Sequence, residues 1–87
     1  MSYSIQILRR AQKELAQLPK GEYERIKGAV QNLANDPRPA GCKKLTAREG
    51  WRIRVGDYRV IDEIDDAKQE LTVLHVGHRR DVYKFLP

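Results

Sequence analysis

The sequence of 87 residues carries 17 lysines and arginines against 12 aspartates and glutamates, so its formal net charge is +5. A chain of this length builds one domain around one small core, and we expect that domain to span residues 1–87. Its apolar runs are only a few residues long, which excludes a membrane-spanning helix of about 20 residues, and its single cysteine, Cys42, excludes an internal disulfide and a Cys-based zinc site.

The first half of the chain predicts one strand followed by two helices. Residues 3–7 alternate between apolar and polar side chains, which is typical of a strand. A first helix is expected from Arg9 to the Pro-Lys-Gly stop at 19–21, and a second helix has Glu22 in its first turn and ends before Pro37. Apolar residues recur at helical spacing in both helices: Ala11, Leu15 and Leu18, then Tyr23, Ile26, Val30 and Leu33. The short turn between the helices predicts an antiparallel helical hairpin.

The second half of the chain predicts strands. Residues 37–50 contain prolines and glycines and are expected to form a loop with a short strand near 44–46. Residues 51–55 alternate strictly between apolar and polar side chains, which predicts a strand, and residues 58–64 form the expected return strand. The dipeptide Gly56-Asp57 between them predicts a two-residue hairpin turn with glycine first, which is typical of type II′.

The C-terminal part predicts one more strand and a tail. Residues 71–76 are rich in β-branched side chains, and we expect Gly77 to break this strand. Residues 78–85 then form a polar tail of one or two helical turns. The expected fold is a single small α+β domain of order β-α-α-β-β-β, with the helical hairpin packed on one face of an antiparallel-rich sheet and a short C-terminal helical tail.

The predicted hairpin brings arginines together on one face of the sheet. With Gly56 and Asp57 as the loop, Arg54 opposes Arg59, and opposed residues share a face. The expected core face carries Trp51, Ile53, Val55, Tyr58 and Val60, and the other face carries Arg52, Arg54 and Arg59. Like charges directly opposite each other destabilise a sheet by a few tenths to about 1 kcal/mol per pair, so an anionic ligand explains this face better than stability does. The alternative is a solvated face on which long side chains spread their charges.

A basic segment after the last strand adds further candidate residues. Arg79 and Arg80 extend the positive charge, and His78 is a candidate acid or base because imidazole exchanges protons near neutral pH. Tyr83 follows Arg79 by four residues, so the two side chains share a face if the tail is helical. There Tyr83 either contacts the RNA, by stacking on a nucleobase or bonding a phosphate, or anchors the tail to the sheet. His75 lies within a strand and is expected to be packed. Neither histidine has a second metal ligand at a useful spacing, so the sequence predicts no metal or cofactor.

Two segments of the C-terminal half resemble the RelE family of the RelE/ParE toxin superfamily. Residues 51–61 are WRIRVGDYRVI and residues 74–83 are LHVGHRRDVY, which match the family patterns R-I-R-V-G-D-Y-R-V-I and V-G-H-R-x-x-V-Y. The resemblance covers essentially the whole chain. It implies a type II toxin that enters the ribosomal A site, cuts the mRNA codon there without a metal, and is blocked by a cognate antitoxin. With no secretion signal at the N-terminus, we expect the protein in the cytoplasm.

The resemblance also implies roles for individual residues. The implied catalytic residues are Arg54, Arg59, Arg79 and Tyr83, and Arg52 is an implied substrate-binding residue. From the basic segment we add His78 and Arg80 as expected substrate-binding residues. We expect Arg54 and Arg59 to hold the scissile phosphate while the RNA 2′-hydroxyl attacks it, and Arg79 to neutralise the developing charge. Tyr83 stacks on the base and orients it. The general base stays open between His78, Tyr83, ribosomal RNA and catalysis by positioning alone.

One position departs from the family pattern. A tyrosine commonly follows R-V-I in the family, whereas this chain has Asp62. By the register above, Asp62 points to the core side opposite Trp51. A carboxylate there needs a basic partner or a solvated strand end.

Three other functions stay open at the level of the sequence. A ParE-like inhibitor of DNA gyrase shares the expected fold but does not need the arginine set together with Tyr83. A non-catalytic nucleic-acid-binding module uses the charge of +5 only electrostatically. A remnant without activity that an antitoxin sequesters is suggested by Asp62.

Overall fold

Five strands and two helices occur in the part of the chain that this computed structural model describes, residues 2–46 and 49–81. In chain order they are β1 (Ser4–Ile7), α1 (Arg9–Ala16), α2 (Lys20–Asn32), β2 (Lys43–Lys44), β3 (Trp51–Val55), β4 (Tyr58–Asp65) and β5 (Glu70–His78). The strands form one sheet in the order β1-β5-β4-β3-β2. β1 runs parallel to β5, and the other neighbours are antiparallel. Neither described helix has the length and apolar composition needed to span a membrane.

The predicted α+β class is confirmed, with two helices packed against a mixed sheet. The short strand expected near residues 44–46 is β2, which adds a fifth strand to the predicted order and pairs with β3 over two residues. Part of the expected helical tail falls on residues 82–87, which lie outside the described residues.

The core lies between the helices and one face of the sheet. Its buried residues come from both helices and from three strands: Ala11, Leu15, Ile26, Val30, Leu33, Ile53, Val60, Leu71, Val73 and Val76. The helical stripes therefore face the sheet as predicted. α2 begins earlier than expected, at Lys20, because Pro19 precedes its first turn, where the missing N–H of proline leaves no bond unmade. Glu22 lies in the first turn, as predicted, where a carboxylate suits the helix dipole.

The register of the β3–β4 hairpin agrees with the prediction at every pair. Val55 lies opposite Tyr58, and Arg54 lies opposite Arg59. Gly56 has a φ of +60°, whereas Asp57 is not among the described residues with positive φ. A positive φ at the first loop residue alone defines the predicted type II′ turn. Ile53 is buried and Val55 is half-buried against the core, so the two faces of the hairpin are the ones expected.

β5 is longer than the sequence predicts, and the expectation that Gly77 breaks it was wrong. Gly77 pairs with Arg59, and the strand continues to His78, which pairs with Tyr58. The strand continues because Gly77 and His78 both have pairing partners on β4. A glycine within a strand weakens it only modestly. An irregularity between Ile61 and Asp62 of β4 shifts the register of this ladder, so β5 contributes one extra residue there.

Side chains of α1 hold the part of β5 that lies beyond the end of β1. The backbone N–H of Val76 donates to Oε1 of Glu14 at 2.9 Å. Next to it, Nη1 of Arg10 lies 3.2 Å from Nε2 of His75, whose residue is only 4% exposed. His75 is thus packed, as predicted. The Glu14 carboxylate accepts the hydrogen bond that a neighbouring strand would otherwise accept from β5. α1 therefore holds the end of β5 that leads into the basic segment.

Asp62 lies opposite Trp51, as the predicted register requires, and it is fully buried. Neither carboxylate oxygen has a hydrogen-bond partner among the described residues. Burial raises the pKa of Asp62 to about 7, and the charge of Arg38 opposes that rise. The Arg38 guanidinium stacks 4.9 Å from the Trp51 ring centre, but its hydrogen bonds of 2.9 and 3.2 Å go to Asp66. Of the two expected arrangements, the strand end is not solvated, and the nearby basic residue, Arg38, is engaged with another carboxylate.

Replacing Asp62 with asparagine is expected to stabilise the protein increasingly as the pH rises. The pKa of Asp62 in the folded state, about 7, lies above the ordinary value of 3.8, so the folded state holds the extra proton between these values. Its contribution to stability is therefore present at low pH and is lost as the pH rises through about 7. The advantage of D62N in the free energy of unfolding should grow by roughly 2–3 kcal/mol between pH 5 and pH 8.5. Urea unfolding of both proteins at the two pH values measures this, and parallel pH profiles would contradict it.

Candidate functional site

The β3–β4 hairpin places three arginines on one face of the sheet, Arg52 and Arg54 on β3 and Arg59 on β4. Arg54 lies opposite Arg59, as predicted, and Arg54 is exposed while Arg59 is half-buried. β2 adds a charge that the sequence analysis did not include, because Lys43 lies opposite Arg52. Both pairs oppose like charges, which is unfavourable for a sheet. The charges are thus concentrated on neighbouring strands at a cost to stability, as expected of an anion-binding face.

Arg59 is held at the hairpin turn by backbone carbonyls. Its Nη1 donates to the carbonyl oxygen of Tyr58 at 3.1 Å and, more weakly, to that of Gly56 at 3.5 Å. A guanidinium group has five N–H donors in a planar fork, and these two bonds use only one nitrogen. Arg59 is therefore oriented before any ligand arrives and keeps donors for a phosphate.

The basic segment after β5 returns to the same turn. The backbone N–H of Arg79 donates to the carbonyl oxygen of Asp57 at 2.8 Å. Arg79 and Arg80 are both exposed. This bond joins the third predicted catalytic arginine to the turn between Arg54 and Arg59, although Arg79 lies 20 residues after Arg59 in the sequence. Tyr83, the fourth predicted catalytic residue, lies outside the described residues.

His78 lies on the other side of the sheet from the hairpin arginines. It pairs with Tyr58, and the two rings meet edge to face with centres 5.6 Å apart. Because Tyr58 packs against the core, His78 shares the helix-covered face rather than that of Arg59. Its Nδ1 accepts the backbone N–H of Arg80 at 3.2 Å. His78 therefore shapes the basic segment, and a ligand reaches it only around the end of β5.

Arg25 of α2 also lies at the turn, and the sequence analysis missed it. A Cβ placed on Gly56 would meet Nη1 of Arg25 at 3.0 Å and Cζ at 3.5 Å. Arg25 immediately precedes Ile26, which is fully buried, so it flanks the buried stripe of α2. The apolar spacing of α2 predicts its buried stripe. Which residue beside that stripe lies at the hairpin turn depends on how α2 packs on the sheet.

A groove opens beside the arginines, between α2, the loop that follows it and the edge of β3. β2 pairs only with Trp51 and Arg52, so the edge of β3 is uncovered beyond these residues. The groove has a volume of about 1070 Å³, and its lining includes Arg52, Arg54, Gly56 and Arg59. It is wide and open enough to admit an extended chain, and three of the predicted site residues meet it.

The chemistry available to this cluster follows from its donors. Guanidinium groups stay charged and bind phosphate through paired N–H groups, so they stabilise negative charge but do not accept a proton from substrate. No group of three or more His, Cys, Asp or Glu side chains suitable for a metal occurs among residues 2–46 and 49–81. The arrangement suits a polyanion, with the arginines acting on phosphate oxygens.

Comparison with known proteins gives a family match over most of the chain. Residues 5–83 match the family model described as ParE toxin of type II toxin-antitoxin system, parDE. A curated Toxin RelE of Mycobacterium tuberculosis is 31% identical over 91 aligned residues, which cover 98% of this chain and 90% of that protein.

Solved structures with the same fold come from archaea and bacteria. RelE in the RelE-RelB complex of Pyrococcus horikoshii superposes with a TM-score of 0.82 at 28% identity, covering 94% of this chain and 100% of that one. The toxin-antitoxin complex RelBE2 of M. tuberculosis gives a TM-score of 0.79 at 26% identity, with 91% and 100% covered. The isolated RelE toxin of Escherichia coli gives 0.77 at 25% identity, with 95% and 93% covered.

Replacing Arg54 with threonine is expected to raise the free energy of unfolding at low salt by about 0.2–1 kcal/mol, because it removes the charge opposite Arg59 and keeps a good strand residue. The gain should vanish near 1 M NaCl, where the screening length is only about 3 Å. Lys44→Thr is the matched control, since Lys44 lies opposite Trp51 rather than a cation. Urea unfolding at both salt concentrations tests this. A loss of stability in R54T, or an equal gain in both variants, would contradict it.

Proposed function

This chain is a RelE-type toxin of the ParE toxin family of type II toxin–antitoxin systems, and from that premise we propose that it is a ribosome-dependent endoribonuclease. It cuts mRNA within the codon in the ribosomal A site and so stops translation. The observation that carries the proposal is the convergence of Arg54, Arg59 and the backbone of Arg79 on one hairpin turn. Two opposed arginines on a hairpin, with a third arginine bonded through its backbone to the turn, are unfavourable for stability unless an anion such as a phosphate binds there.

The proposed reaction transfers the phosphoryl group within the RNA, from the 5′-oxygen of one nucleotide to the ribose 2′-oxygen of the preceding one. The ribose 2′-oxygen attacks the neighbouring phosphorus and loses its proton to a base, and the bond from phosphorus to the 5′-oxygen breaks. The products are a 2′,3′-cyclic phosphate and a 5′-hydroxyl, whose oxygen takes up a proton. Arg54 and Arg59 hold the non-bridging oxygens, and Arg79 neutralises charge as it builds up on the phosphate and the leaving oxygen. No metal takes part.

The remaining predicted residues support substrate binding in this scheme. Arg52 and Arg80 add positive field, and Tyr83 stacks on the base and orients it. His78 orders the backbone of Arg80. The general base that accepts the proton of the 2′-hydroxyl is Tyr83, His78 or a group of the ribosomal RNA. The arginines do not serve as this base, because they do not release their own protons. A base role for His78 requires the RNA to pass around the end of β5.

We also propose a cognate antitoxin as protein partner and the cytoplasm as the location. Similar toxins from P. horikoshii and M. tuberculosis were solved as complexes with their antitoxins. An acidic or amphipathic segment laid over the arginine face would neutralise the opposed charges and exclude the RNA.

A ParE-like inhibitor of DNA gyrase is the second candidate, and the family model that matches the chain favours it. The arginine cluster distinguishes the two, since cleavage requires guanidinium groups aimed at one phosphate. A DNA-supercoiling assay with purified gyrase tests this second function directly.

The decisive experiment is primer extension on a defined mRNA in a purified translation reaction, with and without the protein. The proposal expects cuts inside the A-site codon that disappear when ribosomes are omitted. Intact mRNA and normal translation would refute it and turn attention to gyrase or to an inactive remnant. Equal cutting of naked RNA would retain the chemistry and refute the dependence on the ribosome.

Arg59→Ala is expected to lower the single-turnover cleavage rate on saturating programmed ribosomes by about 10²–10³-fold, which is the usual loss when one preorganised donor to a reacting oxyanion is removed. Arg59→Lys should recover only part of this rate, because an ammonium group lacks the planar fork. Lys13→Ala on α1 serves as the control for loss of one positive charge. A non-catalytic binding module would instead show small, similar losses for R54A, R59A and R79A.

A further inference from the structure

The guanidinium group of Arg25 lies against the backbone of the β3–β4 turn. Its Nη1, Cζ and Nη2 would be 3.0, 3.5 and 3.7 Å from a Cβ at Gly56, so the guanidinium packs closely beside this glycine. The same turn carries Arg59, whose Nη1 bonds to the carbonyl oxygen of Tyr58 at 3.1 Å. A cation from α2 thus joins the cations of the sheet at one point.

Stability does not account for this position. Arg25 forms an ion pair with Glu22, three residues earlier on the helix, at 3.5 Å, and the Arg25 side chain is 57% exposed. An exposed helical pair of this kind contributes little. Asp57 offers one carboxylate in the turn, but Arg54 and Arg59 flank it, so the turn keeps a net positive charge. A long exposed side chain is free to point elsewhere. A position that brings it closer to like charges indicates a shared anionic ligand.

The groove shows where that ligand continues. Gly56, Arg54 and Arg59 all line it, and it runs from the turn along α2 past Ala29 and Asn32. Arg25 does not line the groove, but its guanidinium lies beside Gly56, which does, and Arg25 precedes Ala29 by one helical turn. A strand whose phosphate is held by Arg54 and Arg59 passes Arg25 when it enters or leaves the groove.

We propose that Arg25 binds the backbone phosphate next to the one held by Arg54 and Arg59, so that single-stranded RNA bends around the β3–β4 turn. The identity of the ligand as RNA rests on the proposed function. Arg25 positions the strand and takes no part in bond breaking. Glu22 keeps the guanidinium near the turn until the phosphate replaces it as partner.

The first test compares Arg25→Ala with Lys27→Ala. These residues flank Ile26 on opposite sides of the buried stripe, so both variants remove one charge from the same helix but only one removes it from the turn. The probe is a labelled ten-nucleotide RNA with 2′-O-methyl riboses, which the protein binds but does not cut. From 50 to 300 mM NaCl, R25A should weaken binding about tenfold at the lowest salt and reduce the salt slope by about 0.7, the value for one phosphate contact on a single strand. K27A should keep the slope.

The second test keeps the charge and changes its shape. Arg25→Lys should recover only part of the binding that R25A loses, because an ammonium group lacks the planar fork of a guanidinium. Its salt slope should return close to that of the unmodified protein, because the charge is kept. A salt slope in R25K equal to that of R25A would overturn the inference, as would equal binding by R25A and K27A.

Cleavage on programmed ribosomes separates this inference from the proposed function. R25A should raise KM about tenfold with kcat nearly unchanged, unlike R59A, which acts on kcat. Normal cleavage by the unmodified protein with an unchanged KM in R25A would overturn the role of Arg25 alone. Absence of cleavage would overturn the proposed function, while the salt slope still decides whether Arg25 contacts a phosphate. Absence of both RNA binding and cleavage would overturn both.

Discussion

The Gly56-Asp57 turn joins β3 to β4 with two residues, and its geometry sets which side chains face each other along both strands. Because side chains alternate between faces, a shift of one residue would move every arginine of the hairpin to the core side. The turn also has a backbone conformation that favours glycine, and the Arg25 guanidinium packs beside that glycine. Core, arginine face and groove therefore all depend on this turn.

A second constraint acts at the far end of β5. Glu14 accepts the N–H of Val76, and three residues later the N–H of Arg79 donates to Asp57. The strand is held from α1 on one side and from the hairpin turn on the other. Contacts far apart in the sequence thus place a basic segment beside the arginine pair.

Two features of the sheet oppose stability, and they differ in kind. The opposed pairs Arg54–Arg59 and Lys43–Arg52 concentrate charge where it is accessible, and a polyanion relieves their repulsion. Asp62 is a buried carboxylate without a hydrogen bond among the described residues, and no ligand reaches it. The first feature is explained by the proposed function. The second makes folding sensitive to pH and does not itself argue for an inactive protein, since Asp62 lies on the face away from the arginines.

The sequence by itself determined the hairpin, its turn type, the register of Arg54 on Arg59 and the apolar stripes of both helices, because alternation and turn chemistry are local properties. Its family motifs identified the kind of toxin. Tertiary structure decided the rest. Gly77 stays in β5 because its partner Arg59 is supplied by another strand, and Arg25 reaches the turn because of how α2 packs. Such placements depend on contacts between distant segments, which no local pattern records.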